Sequence, residues 1–177
     1  MDEACILIID DDPDVWQAAV LALAPHFVRC DEAALPDEAV RLVREQQYGA
    51  VVLDMNFAAG ERSGSAGLAA IAELRGVDPS LGIVFVTAYG GVTLAVEAMK
   101  RGGDDFVPKP WRNAQLVAAV HDVVARTRSR RVGSTLDAVE RSAIAQALER
   151  HNGNIARAAA ALGLTRQALY RRLAKDG

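Results

Sequence analysis

Hydrophobic and polar positions alternate between two patterns along most of the chain. Short β-branched runs at Cys5–Asp10, Phe27–Asp31, Ala50–Asp54, Ile83–Thr87 and Asp105–Val107 have few polar positions and predict buried strands. Between them, Pro13–Leu23, Pro36–Gln46, Ala66–Arg75 and Thr93–Arg101 place apolar residues at helical spacing. A fifth helix is expected from Asn113, with Leu116, Val117, Val120, Val123 and Val124 on one face. Strand–helix units in series predict a parallel sheet covered by helices on both faces. Sites in such sheets form beyond the carboxyl ends of the strands.

The pattern changes after residue 125. Arg126–Ser134 (RTRSRRVGS) loses apolar periodicity and gains charge, which predicts a first domain at 1–125, a linker at 126–134 and a second domain at 135–177. Helical patterning resumes at Thr135–Arg150, Asn154–Leu162 and Arg166–Ala174. Three short helices bury little surface by themselves, so this domain is expected to pair with a second copy.

Charge sharpens the division. Residues 1–125 carry 9 Lys+Arg and 19 Asp+Glu, whereas residues 126–177 carry 11 and 4. An acidic body with a basic tail points to a polyanion partner for the tail; a solvated basic helix pair is the plainer alternative. No apolar run approaches the roughly 18–20 residues of a membrane span. Asp2 and Glu3 precede the first apolar run, the wrong charge for a secretory signal. A cytoplasmic protein without a membrane partner is expected. Cys5 and Cys30, with three scattered histidines, give no metal-ligand spacing. They read as small buried side chains, with a redox pair across neighbouring strands as the alternative.

Chemistry concentrates at the predicted strand ends. The first strand runs into Asp10, Asp11 and Asp12, the third ends on Asp54, the fourth on Thr87, and Lys109 follows the fifth. With the first strand central, these ends converge. Crowded carboxylates favour a divalent cation, and hard oxygen ligands suit Mg²⁺. Such an ion can bridge a carboxylate nucleophile and a phosphoryl group, while a hydroxyl and an ammonium hold the phosphoryl oxygens. Asp12 and Asp14 flank Pro13 and read as helix caps. Asp104 and Asp105 read as caps of a turn.

Taken together, these residues resemble the receiver family of two-component response regulators over about 1–125. The resemblance implies a flavodoxin-like α/β fold, a doubly wound five-stranded parallel sheet. It makes Asp54 the acceptor of phosphate from a sensor histidine kinase. Asp11 would bind Mg²⁺ directly, Asp10 through water, and the Asn56 backbone carbonyl would complete the set. Thr87 would sense the phosphoryl group, Lys109 would pair with it, Phe106 would be the aromatic switch, and the Lys109–Pro110 bond would be cis. One departure stands out: receivers commonly have a proline soon after the phosphorylated Asp, and this chain has a longer Gly/Ser-rich stretch over 56–65. It resembles loops of receivers in nitrogen-regulator-type activators, and bears on metal geometry and phosphoryl lifetime.

The tail segment HNGNIARAAAALGLTRQALYRRLAK has its own logic. Asn154 can cap a helix whose Ile155, Ala158, Ala159 and Leu162 form an apolar stripe, Gly163 permits a turn, and Thr165 caps the next helix. A helix with Arg and Gln near its start suits a major groove. This pattern resembles the Fis-type helix-turn-helix over about 135–175, a small all-α domain. The candidate DNA-binding residues are Asn154, Thr165, Arg166, Gln167, Tyr170, Arg171, Arg172 and Lys175. The same resemblance makes the preceding helix, with Leu136, Val139, Ala143, Ile144, Ala147 and Leu148, the interface of a homodimer.

Activators of the nitrogen-regulator type place an ATPase between these two parts. Here Lys100, Lys109 and Lys175 are the only lysines and none follows glycine, so no G-x-x-x-x-G-K-[ST] loop exists. The expected function is a phosphorylation-controlled transcriptional regulator acting on double-stranded DNA, not an enzyme, with RNA polymerase as a further candidate partner. Two alternatives stand beside it. One is a phosphorelay or protein-binding receiver whose tail only mediates assembly. The other is a dehalogenase-like phosphatase, which usually needs Asp-x-Asp ending the first strand; here Asp54-Met55-Asn56 follows the third.

Overall fold

The computed structural model describes residues 1–56, 65–88 and 92–175, without the side chains of Val92, Thr93 and Lys175. Most of the Gly/Ser-rich stretch, residues 57–64, lies outside the described residues. The first of two compact units, Met1–Arg130, contains strands β1 (Asp2–Ile9), β2 (Phe27–Ala33), β3 (Ala50–Asp54), β4 (Gly82–Thr87) and β5 (Asp105–Pro108). Helices α1 (Pro13–Leu23), α2 (Pro36–Glu45), α3 (Ser65–Val77) and α4 (Val92–Lys100) alternate with them, and α5 (Asn113–Arg150) follows. All strands pair in parallel in the order β2-β1-β3-β4-β5. This is the flavodoxin-like doubly wound order, whose switch point lies between β1 and β3.

Alternate residues of the inner strands serve two cores. Ile6, Ile8, Val52, Val84 and Val86 pack with residues of α1 and α5, while Leu7, Ile9, Val51, Leu53 and Phe85 pack with α2, α3 and α4. Both faces being covered, the strands need apolar residues at every position. The same alternation decides the cysteine question. Cys30 packs with the α1/α5 core and Cys5 with the opposite one, so their side chains leave opposite faces of the sheet. No disulfide can join them in this fold, and the redox alternative falls.

The boundary between the two compact units falls inside the linker expected over 126–134, and α5 is helical through it. Its first residues belong to the receiver-like unit. A Cβ on Gly82 would meet Val123 and Thr127 at 2.2 and 2.6 Å, so the helix lies against β4 where only glycine fits. Thr127 is fully buried, its hydroxyl donating to the Val123 carbonyl at 3.1 Å. Arg126 and Arg130 reach Asp104, and Arg128 reaches Asp2. Charge alone made these arginines look like tail. Counted by compact unit, the second has 8 Lys+Arg against 4 Asp+Glu, or +4.

That second unit, Arg131–Gly177, holds the rest of α5 with α6 (Ile155–Ala161) and α7 (Arg166–Lys175). Its core is small: Ile144, Ala147, Ala158, Ala159 and Leu169, flanked by Leu148, Ile155, Leu162, Leu164 and Leu173. Asn152, Gly153 and Gly163 take positive φ in the turns before and after α6, where glycine and asparagine are the residues least strained.

Candidate functional site

The switch point between β1 and β3 places the acidic residues. β1 ends at Ile9, leaving Asp10 and Asp11 just past its carboxyl end, and β3 ends on Asp54. Oxygens of Asp10, Asp11 and Asp54 lie within 4.8 Å of one another, with Asp10 and Asp54 buried and Asp11 exposed. Asp12 stays out of this group: it caps α1, accepting from the Asp14 N–H at 3.0 Å, ahead of Pro13. Asp10 accepts from the Asp12 N–H at 3.1 Å. Across the pocket, Lys109 Nζ lies 2.6 Å from Asp10 Oδ2 and 2.9 Å from Asp54 Oδ1. The Lys109–Pro110 bond is cis, as expected.

Burial pushes the Asp10 carboxyl above its ordinary value, and the Lys109 ammonium opposes this without cancelling it. Burial alone would lower Lys109. Hydrogen bonds and charge from Asp10 and Asp54 outweigh it and hold the ammonium above its usual range. Two buried carboxylates thus share one ammonium, with the exposed Asp11 beside them. That donor set of hard oxygens fits a divalent cation such as Mg²⁺.

Sequence reasoning gave Asn56 a role only through its backbone. Its side chain is placed in the site as well: the amide Nδ2 donates to Thr87 Oγ1 at 3.0 Å, and the backbone N–H donates to Asp54 Oδ2 at 3.1 Å. Asn56 Oδ1 is buried without a hydrogen-bond partner. One residue therefore touches both Asp54 and the buried Thr87. Phe106, on β5 next to β4, is half-buried with its ring 5.3 Å from that of Phe85. A groove of about 480 Å³, bounded by Asp14, Ala18, Lys109, Pro110 and Trp111, shares Lys109 with the pocket.

In the second unit, Arg166, Gln167, Tyr170 and Arg171 are exposed on one face of α7, opposite the buried Leu169. Asn154 and Thr165 have local duties. Asn154 accepts from the Arg157 N–H at 3.1 Å to cap α6, and Thr165 accepts from the Ala168 N–H at 3.1 Å to cap α7. Arg172 is ion-paired with Glu140 of α5. The side chain of Lys175 lies outside the described residues. Of the helix expected to form a dimer face, Ile144 and Ala147 are buried within the unit, whereas Leu136 and Val139 are 64% and 61% exposed. With Val132, 59% exposed, they form an apolar stripe at helical spacing.

Comparison with known proteins follows the same division. The response regulator receiver domain matches residues 6–121, and the bacterial regulatory protein, Fis family, matches residues 135–175. Only residues 122–134 separate the two, too few for an intervening ATPase. The chain is 32% identical over 128 residues to the phosphoglycerate transport system transcriptional regulatory protein PgtA of Salmonella typhimurium, covering 72% of this chain and 30% of that protein. It thus spans less than a third of that relative. A receiver domain from Bacteroides fragilis is 32% identical with a TM-score of 0.62, over 70% of this chain and 98% of that one. A Burkholderia pseudomallei response regulator, solved with a phosphorylated aspartic acid, shares the fold at 24% identity and TM-score 0.59, covering 96% of this chain and 98% of that one.

Proposed function

This chain belongs to the response regulator receiver family, and from that premise we propose that it is a phosphorylation-controlled, DNA-binding transcriptional regulator of a two-component system. The observation that carries this is the convergence of Asp10, Asp11, Asp54, Thr87 and Lys109 on one pocket, in a chain that also has a Fis-type segment. Asp54 is the phosphoryl acceptor. One of its oxygens forms the O–P bond as the P–N bond of a kinase phosphohistidine breaks, and the departing imidazole nitrogen takes the electron pair. Lys109 holds Asp54 in place and offers its ammonium to the incoming phosphoryl oxygens.

Asp10, Asp11, Asp54 and the Asn56 backbone would hold Mg²⁺, which supplies charge neutralisation to the transferring group. Thr87 is the residue that responds. A phosphoryl group on Asp54 adds acceptor oxygens to which the Thr87 hydroxyl can donate, drawing it away from the Asn56 amide that donates to its Oγ1. Its displacement vacates space toward Phe106 and shifts the population of the α4–β5–α5 face. In the second unit, α7 presents Arg166, Gln167, Tyr170 and Arg171 to a major groove. The exposed Val132, Leu136 and Val139 stripe supports a two-fold homodimer on an inverted repeat.

With Mg²⁺ and a small phosphodonor, the protein should gain one phosphate by mass spectrometry. In gel shifts on genomic fragments, binding should weaken steeply with salt. A protein that gains phosphate but retards no DNA is a receiver whose tail only mediates assembly.

A further inference from the structure

The opposite end of the sheet carries a second buried carboxylate, which the regulatory function leaves unused. Asp104, just before β5, has a side chain 4% exposed, and Arg75 of α3 pairs with it at 2.7 Å. Arg75 also donates to the Gly102 carbonyl from Nε and Nη2, at 3.1 and 2.7 Å. The Ile83 N–H of β4 donates to Asp104 Oδ2 at 2.9 Å. From α5, Arg130 pairs with the other carboxylate oxygen, and Arg126 donates to the Asp104 carbonyl at 2.8 Å. One residue thus joins α3, β4, β5 and α5.

The α5 side of this junction has a definite pattern. Val123, Arg126, Thr127 and Arg130 follow at i, i+3, i+4 and i+7, so they share one helix face. Val123 and Thr127 fill the notch at Gly82, and the two arginines close on Asp104. Apolar periodicity ends here, and ionic anchoring takes its place. Arg130 is the last residue of the first unit.

We propose that the Asp104 cluster is a positioning device that fixes where α5 leaves the receiver and ties that exit to β5. Asp104 stands two residues before Phe106 and five before Lys109, so a shift of β5 that follows phosphorylation pulls on the carboxylate gripped by α5. Cut from Asp104, the exit segment no longer reports the state of the pocket. The coupling rests on the regulatory function proposed above; the hold on α5 does not.

The test uses the full chain and two readouts. The first is hydrogen–deuterium exchange of amides 126–134. The second is affinity for the genomic fragment retarded most by the wild type, with and without beryllofluoride and Mg²⁺. Asp104→Asn and Arg130→Gln should speed exchange over 126–130 by about tenfold, leave phosphate incorporation unchanged, and bring the two DNA affinities together. Arg130→Lys should restore part of both effects. Unchanged exchange in Arg130→Gln, or a beryllofluoride response retained in both variants, overturns the proposal. Should Asp104→Asn fail to fold, Arg130→Gln, which keeps the Arg75 pair, gives the same two readings. If the wild type itself shows no beryllofluoride response, the regulatory function fails and exchange alone judges the hold of Asp104 on α5.

Discussion

Two buried carboxylate sites occupy opposite ends of one sheet, and their charge balance is inverted. At the carboxyl end, Asp10 and Asp54 are 3% and 5% exposed and share the Lys109 ammonium, with Asp11 beside them. At the amino end, Asp104 is equally buried and has two guanidiniums to itself. A buried charge is tolerable when paired and hydrogen-bonded. The Asp104 cluster satisfies that condition from within the protein and holds elements together. In the pocket one ammonium is divided between two buried carboxylates, and a cation would neutralise the charge left over. Burial of carboxylates therefore does not itself mark a reactive site in this fold. The deficit of positive charge does.

The largest effect expected is loss of phosphorylation in Asp54→Asn. The amide keeps the shape and the Lys109 contact but lacks a nucleophilic carboxylate. Incubation with Mg²⁺ and a small phosphodonor should add no phosphate by mass spectrometry. Labelling equal to wild type would move the acceptor elsewhere and remove the contrast between the two sites.

Lys109→Ala probes the deficit directly. Removing one partner of a buried pair costs about 3–5 kcal/mol, and here two carboxylates lose their partner at once. Partial exposure of Lys109, at 16%, favours the low end. Urea unfolding should show that loss without metal and a partial recovery with millimolar Mg²⁺, because the cation replaces the missing charge. A gain of the same size in wild type would mean that the cation binds the carboxylates whether or not Lys109 is present and does not replace its charge.

The sequence displayed the first site far better than the second. Asp10, Asp54, Thr87 and Lys109 are legible because strand periodicity places each at a strand end, and parallel topology then brings those ends together. Asn56 was half legible. The family resemblance implies a backbone ligand there, whereas the reach of its amide to Thr87, 31 positions along, has no local signal. Asp104 looked like a turn cap because it follows two glycines. Its partners come from elements 21 to 29 positions away, and nothing in the spacing announces them. The same blindness made 126–134 a linker. Periodicity counts apolar residues, and this stretch is held by a buried threonine and by arginines. The early start of β1 was hidden likewise, since Asp2 and Glu3 are polar.

In the second unit, the contrast between free and engaged cations continues on α7. Arg166 is exposed, whereas Arg172 is paired with Glu140. Arg166→Ala should cost about 1–3 kcal/mol on a specific fragment and less on random DNA. Glu140→Gln releases Arg172 and should steepen the salt dependence. Gel shifts across a salt series separate the two. Equal losses on both DNAs for Arg166→Ala would make it a phosphate contact rather than a base reader.

The smallest effect expected is the most informative about where the basic tail begins. Arg128 belongs by sequence to the charge-rich stretch, yet it is ion-paired with Asp2 at the start of β1, its own side chain 54% exposed. An exposed pair of this kind contributes about 0–1 kcal/mol, so Arg128→Gln should barely move a urea midpoint. Every phosphate neutralised by a protein cation adds close to one to the salt slope of DNA binding. If Arg128 is engaged by the receiver, Arg128→Gln leaves that slope unchanged, while Arg171→Gln, from the exposed face of α7, lowers it by about one. A slope that falls equally for both would return Arg128 to the DNA-binding surface. It would also restore the division of charge at residue 126 in place of the division by compact unit.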